Sequence, residues 1–339
     1  MVKNSLMKNT RLTTNKTALE SYLKAQGWLL LNETIEYVEI PGAGNMNFTL
    51  RIKTHNRSFI IKQSRDYVEK YPQVAAPEER ALKEAAFYTL VSIDDTLNKL
   101  MPVLNGVDSE NHVLNLEDLG SSTDYSYLYE NNTVLEEDEL QEIISFIARL
   151  HTSINTTTTT STLANLEMRK LNHEHIYNYP YLADNGLDLN TILPGLAEVA
   201  APYKTDDVLK AELQILGSRY LNQGNTLLHG DYFPGSWLKT SKGLKIIDPE
   251  FCFFGDAEFE LGVTLAHLKM AAQSAKIINK AVEFYEEKAP LDKQLCYKYM
   301  AAELLRRILG LAQLPLTLSL EQRTNLLEEA RSILVRSNK

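Results

Sequence analysis

The spacing of hydrophobic positions changes character about a third of the way along the chain. In the first part, short apolar runs at Ile35–Ile40, Phe48–Ile52, Ser58–Lys62 and His112–Leu116 read as β-strands. Thr17-Ala18-Leu19-Glu20 reads as a capping box opening a short helix that Gly27 stops. Pro77, followed by Glu78 and Glu79, predicts the first turn of a second helix running to about Val91. Beyond that point the period becomes helical. Leu140, Ile143, Ile144, Ile147 and Leu150 form one stripe across Glu139–Thr152, and Asp206–Leu221 predicts another helix, ended by Gly224. Thr226–His229 and Leu244–Ile247 are short apolar runs that predict a hairpin-like pair. The remainder is helical, with a second capping-box candidate at Ser319-Leu320-Glu321-Gln322.

A β-rich first part followed by a helical second part predicts an α+β protein with two lobes, residues 1–117 and 118–339. The boundary falls near Glu117–Ser122, and a cleft between lobes is where a small ligand is expected. A length of 339 residues, 44% apolar and 23% charged, supports two such units. No apolar run approaches the roughly 20 residues of a membrane span, and the polar N-terminus lacks a secretory h-region. Cys252 and Cys296 have neither disulfide-framework nor zinc spacing, so they read as reduced, buried thiols of a cytoplasmic protein. A net charge of −9 argues against nucleic acid as the main partner.

The chemistry concentrates in two acidic motifs, His229-Gly230-Asp231 and Asp248-Pro249-Glu250. Phosphoryl transfer to a hydroxyl requires one carboxylate near the acceptor and others holding a metal on the phosphates. Asp231 lies in a glycine-containing turn directly after an apolar strand, which presents a carboxylate rigidly. Pro249 biases Asp248 toward extended backbone, so Asp248 and Glu250 are expected on one side as two hard oxygen ligands suited to Mg²⁺. Singly, such acids are usually loop caps; their order and spacing favour catalysis.

These motifs resemble those of the aminoglycoside phosphotransferase and choline kinase superfamily, and within it those of the 5-methylthioribose kinases. Asp248-Pro249-Glu250-Phe251 matches that family's Asp-Pro-Glu-Phe, and Ser236 matches its serine five residues after the base. The resemblance implies a protein-kinase-like fold, ATP and Mg²⁺ as cofactors, Asp231 as catalytic base, and Asp248 and Glu250 as metal ligands. Gly42-Ala43-Gly44-Asn45-Met46-Asn47-Phe48 is similar to the family's nucleotide loop, which assigns Gly44, Asn45 and Asn47 to the nucleotide. Lys62, followed by Tyr67-Val68, takes the α/β-phosphate role, with Glu84 orienting it; the alternative for Glu84 is an intrahelical pair with Arg80. Glu117 and Leu119 fall at the hinge that meets adenine.

Arg306 and Arg307 resemble the paired arginines that close the sugar site in that family, although helical spacing alone reads them as a solvated polar face. His151 reads as structural support, and Trp237 as a core residue. Tyr232-Phe233-Pro234 and Gly255-Asp256-Ala257-Glu258-Phe259 depart from the family's Leu-His-Thr and Gly-Pro-Met-Gly-Phe. The expected function is therefore a kinase of a sugar hydroxyl, the 1-OH of 5-methylthioribose or a related sugar; a homodimer is what the family resemblance alone implies. Alternatives are an aminoglycoside or choline-like acceptor, or a nucleotide-binding pseudokinase.

Overall fold

The computed structural model describes residues 10–42, 46–161 and 163–336. The chain separates into two compact units, Met1–Ser122 and Thr123–Lys339.

The first unit is built on an antiparallel sheet of β1 (Ile35–Glu39), β2 (Phe48–Thr54), β3 (Ser58–Gln63), β6 (Leu104–Asp108) and β7 (Val113–Glu117), in the order β1-β2-β3-β7-β6. A small pair, β4 (Tyr67–Val68) and β5 (Tyr71–Ala75), lies between β3 and the next helix in sequence. Leu50, Ile52, Phe59 and Ile61 alternate onto one face of the sheet, where they bury against Leu19, Tyr22 and Leu23 of α1 (Lys16–Ala25). The same alternation sends Lys62 to the opposite face. Helices α2 (Arg80–Val91) and α3 (Asp95–Lys99) complete the unit. The short strand β8 (Ser122–Asp124) marks the end of it.

The two capping boxes have different outcomes. At Ser319 the box forms: Ser319 N donates to Gln322 Oε1 at 2.9 Å and Gln322 N donates back to Ser319 Oγ at 3.2 Å. At Thr17 it does not. Asn15 caps α1 by accepting from Ala18 N, while Glu20 accepts from Ile35 N at 2.7 Å. A buried strand N–H outcompetes a helix end that Asn15 already satisfies. Gly27 closes α1 at φ +73°, as its sequence position predicts.

The second unit is mainly helical: α4 (Glu137–Ser153), α5 (Leu166–His173), α6 (Leu196–Thr205), α7 (Asp207–Leu221), α8 (Ala257–Met270), α9 (Ala275–Glu286), α10 (Lys293–Leu309) and α11 (Leu320–Arg336). Helix α8 is buried almost throughout. Gly262 lets α10 approach it closely, since a Cβ there would meet Cys296 O at 2.6 Å. The predicted pairing of Thr226–His229 with Leu244–Ile247 is incorrect. Strand β9 (Thr226–Leu228) pairs with β12 (Phe253–Gly255), whereas β11 (Gly243–Ile246) pairs with β10 (Trp237–Thr240). The segment between the two predicted runs supplies its own strand, and a two-residue turn closes β10 onto β11 at lower entropic cost than a longer loop. Cys252 and Cys296 are free and buried. Among the described residues, no helix is long and apolar enough to cross a membrane.

Candidate active site

In the first unit, Lys62 at the end of β3 and Glu84 on α2 form an ion pair at 2.7 Å, with both side chains buried. Arg80 donates its Nε to Asn47 Oδ1 at 3.0 Å and its Nη atoms to the carbonyls of Met46, Arg65, Tyr67 and Pro77. Asn47 thus anchors the strand entry through Arg80, a connection that sequence spacing does not disclose. Gly44 and Asn45 lie outside the described residues. Glu117 ends the interior strand β7, exchanging hydrogen bonds with the Val103 backbone at 2.8 and 3.2 Å, and Leu119 is half-buried two residues on. Removing one partner of a buried pair strands the other charge. We expect Glu84→Gln to lower the stability of this unit by about 2–3 kcal/mol, less than a complete break because the amide still accepts from lysine. Chemical denaturation of the variant checks this, and an unchanged midpoint would refute it.

In the second unit, β9 delivers His229, Gly230 and Asp231 into a tight loop. Gly230 sits at φ +85°, and a Cβ there would lie 2.1 Å from Phe251 O, so only glycine allows the loop to lie against the Phe251 backbone. Its N–H donates to Glu260 Oε1 at 2.8 Å. The other oxygen of Glu260 accepts from His151 Nε2 at 3.0 Å, and His151 Nδ1 meets Tyr285 OH at 2.8 Å. His151 therefore supports the loop through Glu260. Glu260, absent from the sequence reading, left one signal: it is an acid opening an otherwise apolar helical run.

His229 is fully buried and joins the two acidic motifs. Its Nε2 lies 2.8 Å from Ile247 O, beside Asp248, while its Nδ1 accepts from Asp231 N at 3.4 Å. Both contacts are met with the proton on Nε2. Ser236 Oγ donates to Asp231 O at 2.8 Å, and Ser236 O accepts from Ile247 N at 3.0 Å, a second tie between the same segments.

Asp248 is not extended as Pro249 predicts. It takes φ +63° and is exposed, whereas Glu250 is buried. Alternation along a strand thus fails to place the two carboxylates. The chain turns sharply as it leaves β11, and a short polar side chain tolerates the left-handed region better than most. Asn165 holds the turn from the far side, donating its Nδ2 to Glu250 O at 2.8 Å and Cys252 O at 3.0 Å.

Arg306 and Arg307 are not a solvated face. Arg307 is 6% and Glu303 1% exposed, which makes the end of α10 a buried ionic cluster. Glu303 accepts from Arg307 Nε at 2.6 Å, from Arg306 Nη1 at 3.1 and 3.0 Å, and from His267 Nε2 at 3.1 Å. Arg307 Nη2 approaches Asp231 Oδ1 at 3.8 Å, and its guanidinium lies 5.0 Å from the centre of the Phe233 ring. Burial pushes the Asp231 carboxyl up to about 6; Arg307 and Arg306 oppose the rise, while Glu303 and Glu250 add to it. Burial also lowers His267 to about 4, leaving a neutral imidazole.

Two departures in the loop sequence prove structural. Tyr232 is buried, donates to Ile143 O at 2.9 Å and stacks on Phe146. Asp256 accepts from Arg219 and from Tyr299 OH at 2.8 Å. Trp237 is a core residue between Tyr125 and Tyr232.

A β-rich first unit, a helical second unit and a strand–turn carboxylate define an α+β kinase-like fold. The solved structures that share it include the choline kinase LicA from Streptococcus pneumoniae, with a TM-score of 0.54 at 14% identity over 94% of this chain and 98% of that one. They also include the spectinomycin phosphotransferase APH(9)-Ia in complex with ADP and spectinomycin, with a TM-score of 0.53 at 12% identity over 96% and 99%. In sequence, the methylthioribose kinase of Bacillus cereus is 25% identical over 291 residues, 80% of this chain and 70% of that protein. Residues 39–292 match the phosphotransferase enzyme family, and the chain belongs to that family. It is a phosphotransferase that acts on a hydroxyl group.

Proposed function

We propose that this enzyme transfers the γ-phosphoryl group of ATP to a sugar hydroxyl, the 1-OH of 5-methylthioribose or of a related sugar. The observation that carries the reading is Asp231, held by its glycine turn with a carboxyl near 6 and the Arg307 guanidinium 3.8 Å away. A carboxylate poised near the working pH accepts a hydroxyl proton efficiently. The adjacent guanidinium offers fixed positive charge to a phosphoryl group that spreads negative charge over its oxygens. Similarity to methylthioribose kinases favours the sugar acceptor.

In the first unit, Lys62, oriented by Glu84, is assigned to the nucleotide phosphates, with Asn47 supporting the loop before β2 and Glu117–Leu119 assigned to adenine. Asp248 and Glu250 suit Mg²⁺: a phosphate-bound magnesium needs one or two protein carboxylates, not a cage, and the exposed Asp248 is tied through His229 to the Asp231 loop. Among the described residues, no group of three or more ligating side chains gathers to hold a metal unaided. Magnesium, when bound, would neutralise phosphate charge. Asp231 orients the acceptor and takes its proton, and Arg307 excludes water from one side of it.

The test is Mg·ATP-dependent ADP release with methylthioribose, ribose, choline and kanamycin in turn. Stimulation by methylthioribose alone supports the reading. Stimulation by choline or kanamycin moves the acceptor elsewhere in the family. Nucleotide binding without stimulation by any acceptor points to a pseudokinase. The pH dependence follows from the same carboxyl. Because the base must be ionised, kcat/KM is expected to rise through about pH 6 and level off above it. A profile flat from pH 5 to 8 would contradict it.

A further inference from the structure

We infer that Glu303 is a positioning residue that holds Arg307 back from Asp231, keeping the catalytic carboxylate open to the acceptor. This rests on Asp231 being the base. An arginine and an aspartate this close ordinarily close into a short bidentate pair, at about 2.7–2.9 Å. Here the gap is 3.8 Å, beyond hydrogen-bond range. The guanidinium is restrained on three sides. Its Nε is committed to Glu303 Oε1 at 2.6 Å, its Nη1 reaches Ala312 O at 3.4 Å, and its plane lies over the Phe233 ring at 5.0 Å.

Glu303 is itself fixed. Its carboxylate takes Arg306 through both oxygens and accepts from His267 Nε2, whose Nδ1 meets Tyr129 OH at 2.5 Å. A neutral imidazole donates one proton and accepts one, so Tyr129, His267 and Glu303 form one directed chain behind the arginines. Burial pushes the Glu303 carboxyl upward, but the two guanidiniums and His267 hold it well below the usual carboxylate range, so it stays ionised. One glutamate charge against two guanidinium charges leaves a net positive cluster beside Asp231. Phosphoryl transfer can use that charge only while it does not seal the base. Were Arg307 to close on Asp231, proton acceptance would require breaking a partly buried ion pair first.

The test compares wild type, Glu303→Gln, Glu303→Asp and Asp231→Asn. In crystals of Glu303→Gln, Arg307 is expected to move onto Asp231, closing 3.8 Å to below 3.2 Å, a readout independent of the acceptor. Its kcat is expected to fall at least tenfold while KM for Mg·ATP stays within twofold. Glu303→Asp, which keeps the charge, should recover most of the lost kcat, and it carries the test if the glutamine variant does not fold. An unchanged Arg307–Asp231 gap in the glutamine variant, or wild-type kcat in both Glu303 variants, overturns the inference. Asp231→Asn separates this from the broader reading: turnover surviving that substitution removes the base itself, whereas its loss alongside unaffected Glu303 variants removes only the positioning role.

Discussion

Asp231→Asn is expected to reduce kcat by about 10²–10⁴-fold, the usual contribution of a positioned general base. The amide preserves the shape of the loop, whose geometry depends on the Gly230 backbone, the His229 clip and the Ser236 hydroxyl on the Asp231 carbonyl. None of these uses the carboxylate. Nucleotide affinity should therefore change little, since Lys62 and Glu84 are untouched. Stability supplies an internal control. A carboxyl whose folded value of about 6 lies above its unfolded value gains stability as pH falls through that range and loses it above. At pH 7.5 the ionised Asp231 therefore works against the fold, and the asparagine variant should melt no earlier than wild type. Loss of turnover with an unchanged or higher melting temperature is the expected pair of results. A variant retaining more than a tenth of wild-type kcat would remove Asp231 from the mechanism.

Gly230→Ala is expected to be the most damaging single-methyl change in this loop. The left-handed backbone, at φ +85°, costs a non-glycine residue about 1–2 kcal/mol. The added Cβ would meet Phe251 O at 2.1 Å and Phe251 C at 2.5 Å. These are backbone atoms that cannot swing aside, so overpacking adds about 1–3 kcal/mol or more. A total near 4 kcal/mol corresponds to roughly 10 °C in melting temperature for a unit of this size. Gly243→Ala provides the comparison: φ is +95° there, but nothing lies within 4 Å of the added carbon. Its cost should be that of backbone strain alone. If the two variants melt together, the close approach of the Asp231 loop to Phe251 is not what demands glycine.

Local pattern was sufficient wherever neighbours in sequence are also neighbours in space. The period-2 runs became β2 and β3, the stripe from Leu140 to Leu150 became α4, and Ser319-x-x-Gln322 formed its reciprocal cap. The motif His229-Gly230-Asp231 was legible because one strand and one glycine turn present the carboxylate. Partner choice between distant segments was not. Asn15 and Ile35 N–H divided what the Thr17 box would have used, and Trp237–Thr240 claimed the strand expected to pair with β9.

Asp248 shows the limit most directly. Proline bias is a local preference of modest size, and a turn held by Asn165 from 85 and 87 residues away overrides it. The arginines show the same limit for charge. Helical spacing predicts that two adjacent arginines face water, because an isolated guanidinium is costly to bury. Glu303 and His267 make burial tolerable, and no one-dimensional pattern announces that they converge. The sequence by itself thus determined the β-rich-then-helical order and pointed to the acids Asp231, Asp248 and Glu250. The tertiary structure alone decided which buried groups compensate one another, because ion-pair and hydrogen-bond energies depend on distances that chain position does not encode.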